Sequence, residues 1–494
     1  MSNIKSKFKK GSALAYVLVI MSAVSIILVS MIQYVVSQVN FSFNRLEREK
    51  AFQTAEAGVF FYRWYLAHQV SGKTAKQIKE FWEDTSPYPY GVDSDYIGDF
   101  SDPEGGVIGQ YQIQTEKPEP GSTIVTVKST GWTLKKPNVK RTVQVRFRRP
   151  SWSEYSVLAD AFMRFGEGTT VNGKIHVNQG VRFDGVANNV VSSSVYCVDD
   201  PDHSGGNEFG VHTHIDPTDP SPNCSDPDVV AVPARADVFK AGRQFPLPEV
   251  SFVGVSSDLG FMKTEAKDNG NGIYFNSAGY GRHIILKTDG TFDVCTVNSY
   301  NSTTYVIEKY RKTSGGGTCS SCSGQCLNNY PIPDDKIIFV EDNVWVEGKI
   351  DDKKVTIAAA NLEGGSPANI YIGMNNSDAE KGHLLYTNFN GNDIIGLVAQ
   401  NNISVVYNSE NILEIDAALL AQSGRVGRDY YSGNYKNTIT VNGSIATAKR
   451  YGFAYTNGTG YANRNLNFDN NLLYYPPPYF PTGTEYSIDL WDEL

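Results

Sequence analysis

No charged residue occurs between Ser12 and Asn44, and no proline before Pro87. A hydrocarbon core excludes charge and a helix interior excludes proline, so both absences leave room for one long helix that begins in a bilayer. Charge is scarce throughout, at 20%, and its balance is acidic, with Lys+Arg 44 against Asp+Glu 53 and a formal net charge of -9. That balance excludes general nucleic-acid binding, which depends on cations neutralising phosphates, although it leaves a local patch open. The chain has no Gly-x-Ser-x-Gly, His-Glu-x-x-His or phosphate-loop pattern. The common hydrolase, metalloprotease and nucleotide-binding signatures are therefore missing. Cysteine is limited to six residues, all between Cys197 and Cys326.

What is present begins with Lys5, Lys7, Lys9 and Lys10, followed by Gly11 and an apolar run over residues 12–32. About 20 helical residues cross a bilayer core, so a transmembrane helix is expected over 12–36. The lysines hold the short leader in the cytoplasm and send everything after the span outside. A cleaved secretory signal would have a shorter apolar core, and its helical patterning would stop there. Here Phe52, Ala55, Val59, Tyr62 and Leu66 continue at three-and-four spacing, which extends one helix to about residue 68. A plain uncleaved signal anchor fits the spacing equally well.

Lys9-Lys10-Gly11 before Ser12-Ala13-Leu14, together with Ala51-Phe52-Gln53-Thr54-Ala55-Glu56-Ala57-Gly58, resembles the type IV pilin class and, more closely, its PilX-like minor pilins. The resemblance implies a leader over 1–11, cut between Gly11 and Ser12 by a prepilin peptidase, with Ser12 then methylated. It implies partners in the other pilin subunits, met through the N-terminal helix, and storage in the membrane before assembly. Major pilins carry a glutamate at the fifth mature position, where this chain has Tyr16. That departure points to a minor or tip subunit.

A pilin-like α+β unit is expected over 12–150: the long helix, a short helix at 74–83, and a three-strand antiparallel meander. Its strands are Tyr111-Gln112-Ile113-Gln114, Ile124-Val125-Thr126-Val127, and the alternation of Val143, Val145 and Phe147 with Gln144, Arg146 and Arg148. The third lies in the basic stretch 135–149. Its alternation reads as a half-buried strand with a solvated basic face in preference to a DNA or anionic-surface contact.

Beyond residue 150 an all-β domain is expected over 151–494. Val171-Asn172-Gly173-Lys174-Ile175 recurs as Val346-Glu347-Gly348-Lys349-Ile350 and as Val441-Asn442-Gly443-Ser444-Ile445. Each copy reads as a tight glycine turn between short inward-facing runs. Such runs, punctuated by Asn and Gly, predict a right-handed parallel β-solenoid, with a β-sandwich as the alternative. Gly396-Leu397-Val398-Ala399, Glu414-Ile415-Asp416-Ala417 and Pro476-Pro477-Pro478 also resemble the solenoid region of large PilX-like surface proteins. The proline-rich segment 471–494 is expected to cap the solenoid end.

An irregular insertion, 197–333, holds Cys197, Cys224, Cys295, Cys319, Cys322 and Cys326. An even count in an exported chain predicts disulfides, while Cys319-x2-Cys322-x3-Cys326 with Cys295 leaves a zinc site as the alternative. The same insertion contains Asp199, Asp200, Asp202, His203, Glu208, His212, His214 and Asp216 among Pro201, Pro217, Pro220, Pro222 and Pro227. The prolines favour a loop with incidental histidines over a metal site, so no metal or cofactor is expected. Asp351, Asp352, Asp393, Glu414 and Asp416 are the candidate carboxylates of a solenoid enzyme. Glu414 and Asp416 flank apolar Ile415, which reads as a solvated edge, so no catalytic residue is expected. The sequence thus predicts a non-enzymatic minor pilin or tip pseudopilin in the cytoplasmic membrane and then on a pilus or the cell surface. A surface or glycan ligand is left open. The alternatives are a surface-anchored carbohydrate-active enzyme and an uncleaved signal-anchored adhesin.

Overall fold

The computed structural model describes residues 12–83, 88–118, 122–252, 255–375 and 381–494. Gly11, on the leader side of the expected cut, lies outside the described residues.

Helix α1 (Ser12–Val70) runs 59 residues, about 88 Å at 1.5 Å per residue. Among the described residues nothing covers its first half: Leu14, Tyr16, Ile20, Ile27 and Tyr34 are all exposed. The second half is buried from Ala51 through Ala55, Tyr62 and Leu66 to Val70. Helix α2 (Ala75–Glu83) buries Ile78 and Trp82. It begins at a capping box, in which Thr74 Oγ1 accepts from Gln77 N–H and Gln77 Oε1 accepts from Thr74 N–H.

Against α1 lies an antiparallel sheet of β1 (Tyr96–Ser101), β2 (Val107–Glu116), β3 (Ile124–Thr133) and β4 (Lys136–Arg148). The expected meander is present and gains a strand on each edge. β1 adds to one side, and Ser487–Glu493 pairs antiparallel with β4 on the other. This last pairing corrects the expected cap, because the end of segment 471–494 returns to the first sheet. Charge explains it: Arg146 Nε donates to Asp489 Oδ2 at 2.7 Å, and Arg141 pairs with Glu493. The basic face of β4 is therefore partly covered by an acidic strand. Helix and sheet approach closely at Gly131, where a Cβ would lie 2.3 Å from Ala55 N and 2.4 Å from Ala51 O.

From Val157 onward the chain builds stacked parallel ladders. One runs through Lys336–Val340, Lys354–Ala359, Ile394–Ala399, Ile412–Ala421, Tyr435–Thr447, Val157–Ala159, Ile175–Val177 and Val191–Ser193. Register places Ile338, Ile357, Leu397, Leu419, Ile445, Val157, Ile175 and Val191 in a single column, all in the largest apolar cluster. The opposite face carries Phe339, Ala358, Val398, Leu420, Ala446 and Leu158, covered by Trp152, Leu472, Phe480 and helix α3 (Val255–Lys267). Strands buried on both faces read as continuous apolar runs, as 394–399 does. The proline segment lies along this flank: a Cβ on Gly396 would meet Pro477 Cβ at 2.6 Å.

Three features depart from expectation. The chain order is not the stacking order, since strands 157–159 and 169–172 pair with 445–447 and 464–467 near the end of the chain. The insertion is narrower than 197–333, because Gly272–Phe275 and Gly281–Leu286 join the parallel ladders; the strands between 281 and 331 also pair antiparallel, which makes the sheet mixed. Finally, Gly348 and Gly443 lie inside strands, at φ +115° and +152°. There the strand bends and changes partner, and a Cβ would meet Leu286 O at 2.2 Å or Ala417 O at 2.1 Å. These are corners rather than tight turns, and only glycine fits them. Near the third copy, Asn188, Asn172, Asn467, Asn442 and Asp416 form a side-chain ladder across successive strands, with each donor 2.6–2.8 Å from its acceptor.

Candidate functional site

All six cysteines are paired, as Cys197–Cys224, Cys295–Cys322 and Cys319–Cys326. No thiolate is left to hold zinc. The first bridge closes a loop that contains Asp200, His203, Glu208, His212 and His214, and the structure draws these side chains together.

Short pairings do the positioning. Cys197–Asp199 and Asn207–Phe209 form an antiparallel hairpin that sets Asp200 near Glu208. Val211–His212 runs parallel to Val181–Phe183, with His212 opposite Arg182, which in turn lies opposite Arg164. Asp200 Oδ2 stands 3.5 Å from His212 Nε2 and 3.9 Å from His214 Nε2, and Glu208 Oε1 stands 3.7 Å from His214 Nε2. Asp200 and His212 are fully buried, Glu208 and His214 nearly so, and His203 is exposed at the rim.

The proton positions follow from the partners. His212 Nδ1 lies 2.9 Å from the Phe209 carbonyl, which only accepts, so Nδ1 carries the proton and Nε2 faces inward. Nε2 of His212 and of His214 are both buried with no hydrogen-bond partner among the described residues. Burial, followed by the charge of Arg182, holds His214 below the ordinary histidine range, and burial raises Glu208. Asp184 accepts from His214 N–H at 2.9 Å and from Arg182 Nε at 2.7 Å. The expectation of incidental histidines in a loop thus meets a convergent, buried donor set. The readable signal was His-x-His on an extended segment with upstream acids, all between two cysteines.

His214 also lines a cleft of about 940 Å³ with Arg164, Arg182, Arg425, Lys449, Arg450 and Arg464. Most of that positive charge is committed to structure. Arg450 pairs with Asp202, Arg425 with Asp429, and Arg464 donates to the carbonyls of Tyr461 and Ala462.

Of the carboxylates considered for catalysis, Asp351 and Asp352 are exposed, whereas Asp393, Glu414 and Asp416 bond the backbone and the ladder. Asp393 accepts from the N–H groups of Thr387 at 2.8 Å and Asn388 at 2.9 Å. Asp416 is buried rather than solvated, accepting from Tyr386 N–H at 2.9 Å and from Asn442 at 2.8 Å, and Asn442 also bonds Glu414. Burial pushes Asp416 up to about 6. Of the two residues flanking the expected cut, Ser12 begins α1.

No known protein family and no curated protein matches this chain. Among solved structures it is similar to the competence-associated pilin ComZ from Thermus thermophilus, at 13% identity and a TM-score of 0.30, covering 91% of this chain and 98% of that one. Among the described residues, one helix, α1, is long and apolar enough to cross a membrane.

Proposed function

We propose that the chain is a non-enzymatic minor pilin or tip pseudopilin of a type IV pilus or a related secretion system. It is stored in the cytoplasmic membrane through α1, cut by prepilin peptidase between Gly11 and Ser12, and carried to the pilus or cell surface. The parallel ladders are read as a right-handed β-solenoid displayed outside the cell for assembly or adhesion.

The observation that carries this reading is the division of α1. Its first half is bare and apolar, and its second half is fitted through Ala51, Ala55 and Gly131 to a small antiparallel sheet. A bare helix of this kind needs a bilayer or the helices of neighbouring subunits to cover it. Tyr16 supports a tip position. It offers a hydroxyl but no carboxylate to neutralise a neighbouring amine, and an unpaired buried ion costs several kcal/mol.

Intact mass of the protein from purified filaments tests the proposal. The expected product begins at Ser12, and Gly11→Leu should leave the longer precursor in the membrane. An intact N-terminus in the parent would favour the signal-anchored adhesin, and normal processing of Gly11→Leu would remove the peptidase assignment.

A further inference from the structure

We propose that the loop closed by Cys197–Cys224 binds one divalent transition-metal ion, best matched by Zn²⁺, through Asp200, Glu208, His212 and His214. The ion anchors this loop to the stacked strands beneath it, a role independent of pilus assembly.

Three observations converge. The first is the spacing: tetrahedral zinc with bonds of 2.0–2.1 Å sets its ligand atoms about 3.4 Å apart. The ligand atoms of Asp200, His212 and His214 all lie within 4.8 Å of one another, with Asp200 at 3.5 Å and 3.9 Å from the two imidazoles, so a contraction of this triad supplies three ligands; Glu208, 3.7 Å from His214 and 3.6 Å from His203, is the fourth and must swing inward to reach the ion. The second is the pair of unpartnered Nε2 atoms. His212 donates its other ring N–H to the Phe209 carbonyl, so its inward Nε2 is left unpartnered 3.5 Å from Asp200; in the neutral ring this sets a lone pair against a carboxylate, an arrangement that a cation resolves. A metal-bound histidine characteristically gives its second N–H to just such an acceptor.

The third is the balance of charge and donor type. Asp184, Asp200, Asp202 and Glu208 face Arg164, Arg182 and Arg450, which leaves an excess of negative charge around two imidazoles. Two nitrogens and two carboxylates suit zinc, whereas calcium and magnesium prefer all-oxygen shells with more ligands. Arg182 does not close the site. Its contact with Asp200 is 3.4 Å, and it keeps the 2.7 Å bond to Asp184 when an ion takes Asp200.

The consequence is a second clasp on a segment with little core of its own. Because His212 lies on the strand paired with 181–183, a bound ion ties the disulfide loop directly to the ladder.

The test uses the full chain in detergent, stripped with chelator and titrated with ZnCl₂ and separately with CoCl₂. One equivalent of Zn²⁺ per chain is expected, with Co²⁺ giving the visible absorption of a four-coordinate site. His212 is fully buried and its loss can unfold the loop, so His214→Ala and Glu208→Gln are read first, with Cys197–Cys224 mapped in each. Each should weaken zinc binding at least about tenfold, and His203→Ala less than about threefold. A chain with Cys197–Cys224 intact that binds neither ion would overturn the proposal and leave an ordinary histidine–carboxylate contact. Unchanged affinity in His214→Ala would overturn it equally.

Discussion

Gly131→Ala is expected to loosen α1 from its sheet. A Cβ at this position would lie 2.3 Å from Ala55 N, 2.4 Å from Ala51 O and 2.8 Å from Thr54 C, all backbone atoms that no rotamer change can move. Ordinary contact begins near 3.4 Å, so the helix must recede by about 1 Å, and a gap of that size forfeits a quarter to a half of each dispersion contact it opens. Ala51, Ala55, Tyr62 and Phe147 all lie along this face. Overpacking of this kind costs about 2–3 kcal/mol, or roughly 30- to 160-fold in the local opening equilibrium. Gly260→Ala is the matched control. It lies in α3 with nothing within 4 Å of a Cβ, and helix propensity alone should stabilise it by about 0.5–1 kcal/mol. Hydrogen exchange of peptides covering 51–66 and 124–133, measured on the full chain in detergent, reads the first effect, and a peptide covering 255–267 reads the second. Protection in Gly131→Ala within about 0.5 kcal/mol of the parent would refute the close-approach argument.

Removing residues 487–494 should bare the edge of β4 and leave Arg141 and Arg146 without their acidic partners, so light scattering should detect self-association; a monomer as well behaved as the parent would count against this. Non-reducing peptide mapping should recover Cys197–Cys224, Cys295–Cys322 and Cys319–Cys326, and replacing Cys197 and Cys224 together with alanine should cost ~2–4 kcal/mol. Asp416, raised to about 6 chiefly by burial, binds its proton more tightly folded than unfolded, so its ionised form opposes folding above that pH and stability is regained as pH falls from 6 toward 4. Asp416→Ala should remove about 3 kcal/mol of that pH dependence in denaturant titrations, and an unchanged slope would show that the site is wetter than described.

The sequence reads well where the cause is local. A charge-free, proline-free run specifies α1, strict alternation specifies β2 to β4, and doubly buried strands show as unbroken apolar runs such as 394–399. It reads poorly where the cause is distant. β1 breaks its alternation at Gly98, which is there because a Cβ would strike the Tyr111 ring at 2.3 Å. The strand Ser487–Glu493 is exposed along its whole length and is held by backbone pairing and by cations some 340 residues away in sequence, which no local pattern records. In the candidate metal centre the residue types were visible, but their convergence depends on a hairpin, a disulfide and a parallel pairing acting together.

The mismatch between chain order and stacking order has a consequence in time. Strands 157–159 and 169–172 are made early, yet their neighbours on one side, 445–447 and 464–467, are made last. A chain made from its N-terminus onward therefore cannot grow this sheet outward one layer at a time. Strands 157–159 and 169–172 lack their neighbours on one side until nearly all of the chain has been made. Closure is then a single late event, one that also carries Ser487–Glu493 back to the sheet beside α1. A partly made chain would present open strand edges where the finished one presents none, so quality control acting on unpaired edges would distinguish a completed chain from an incomplete one.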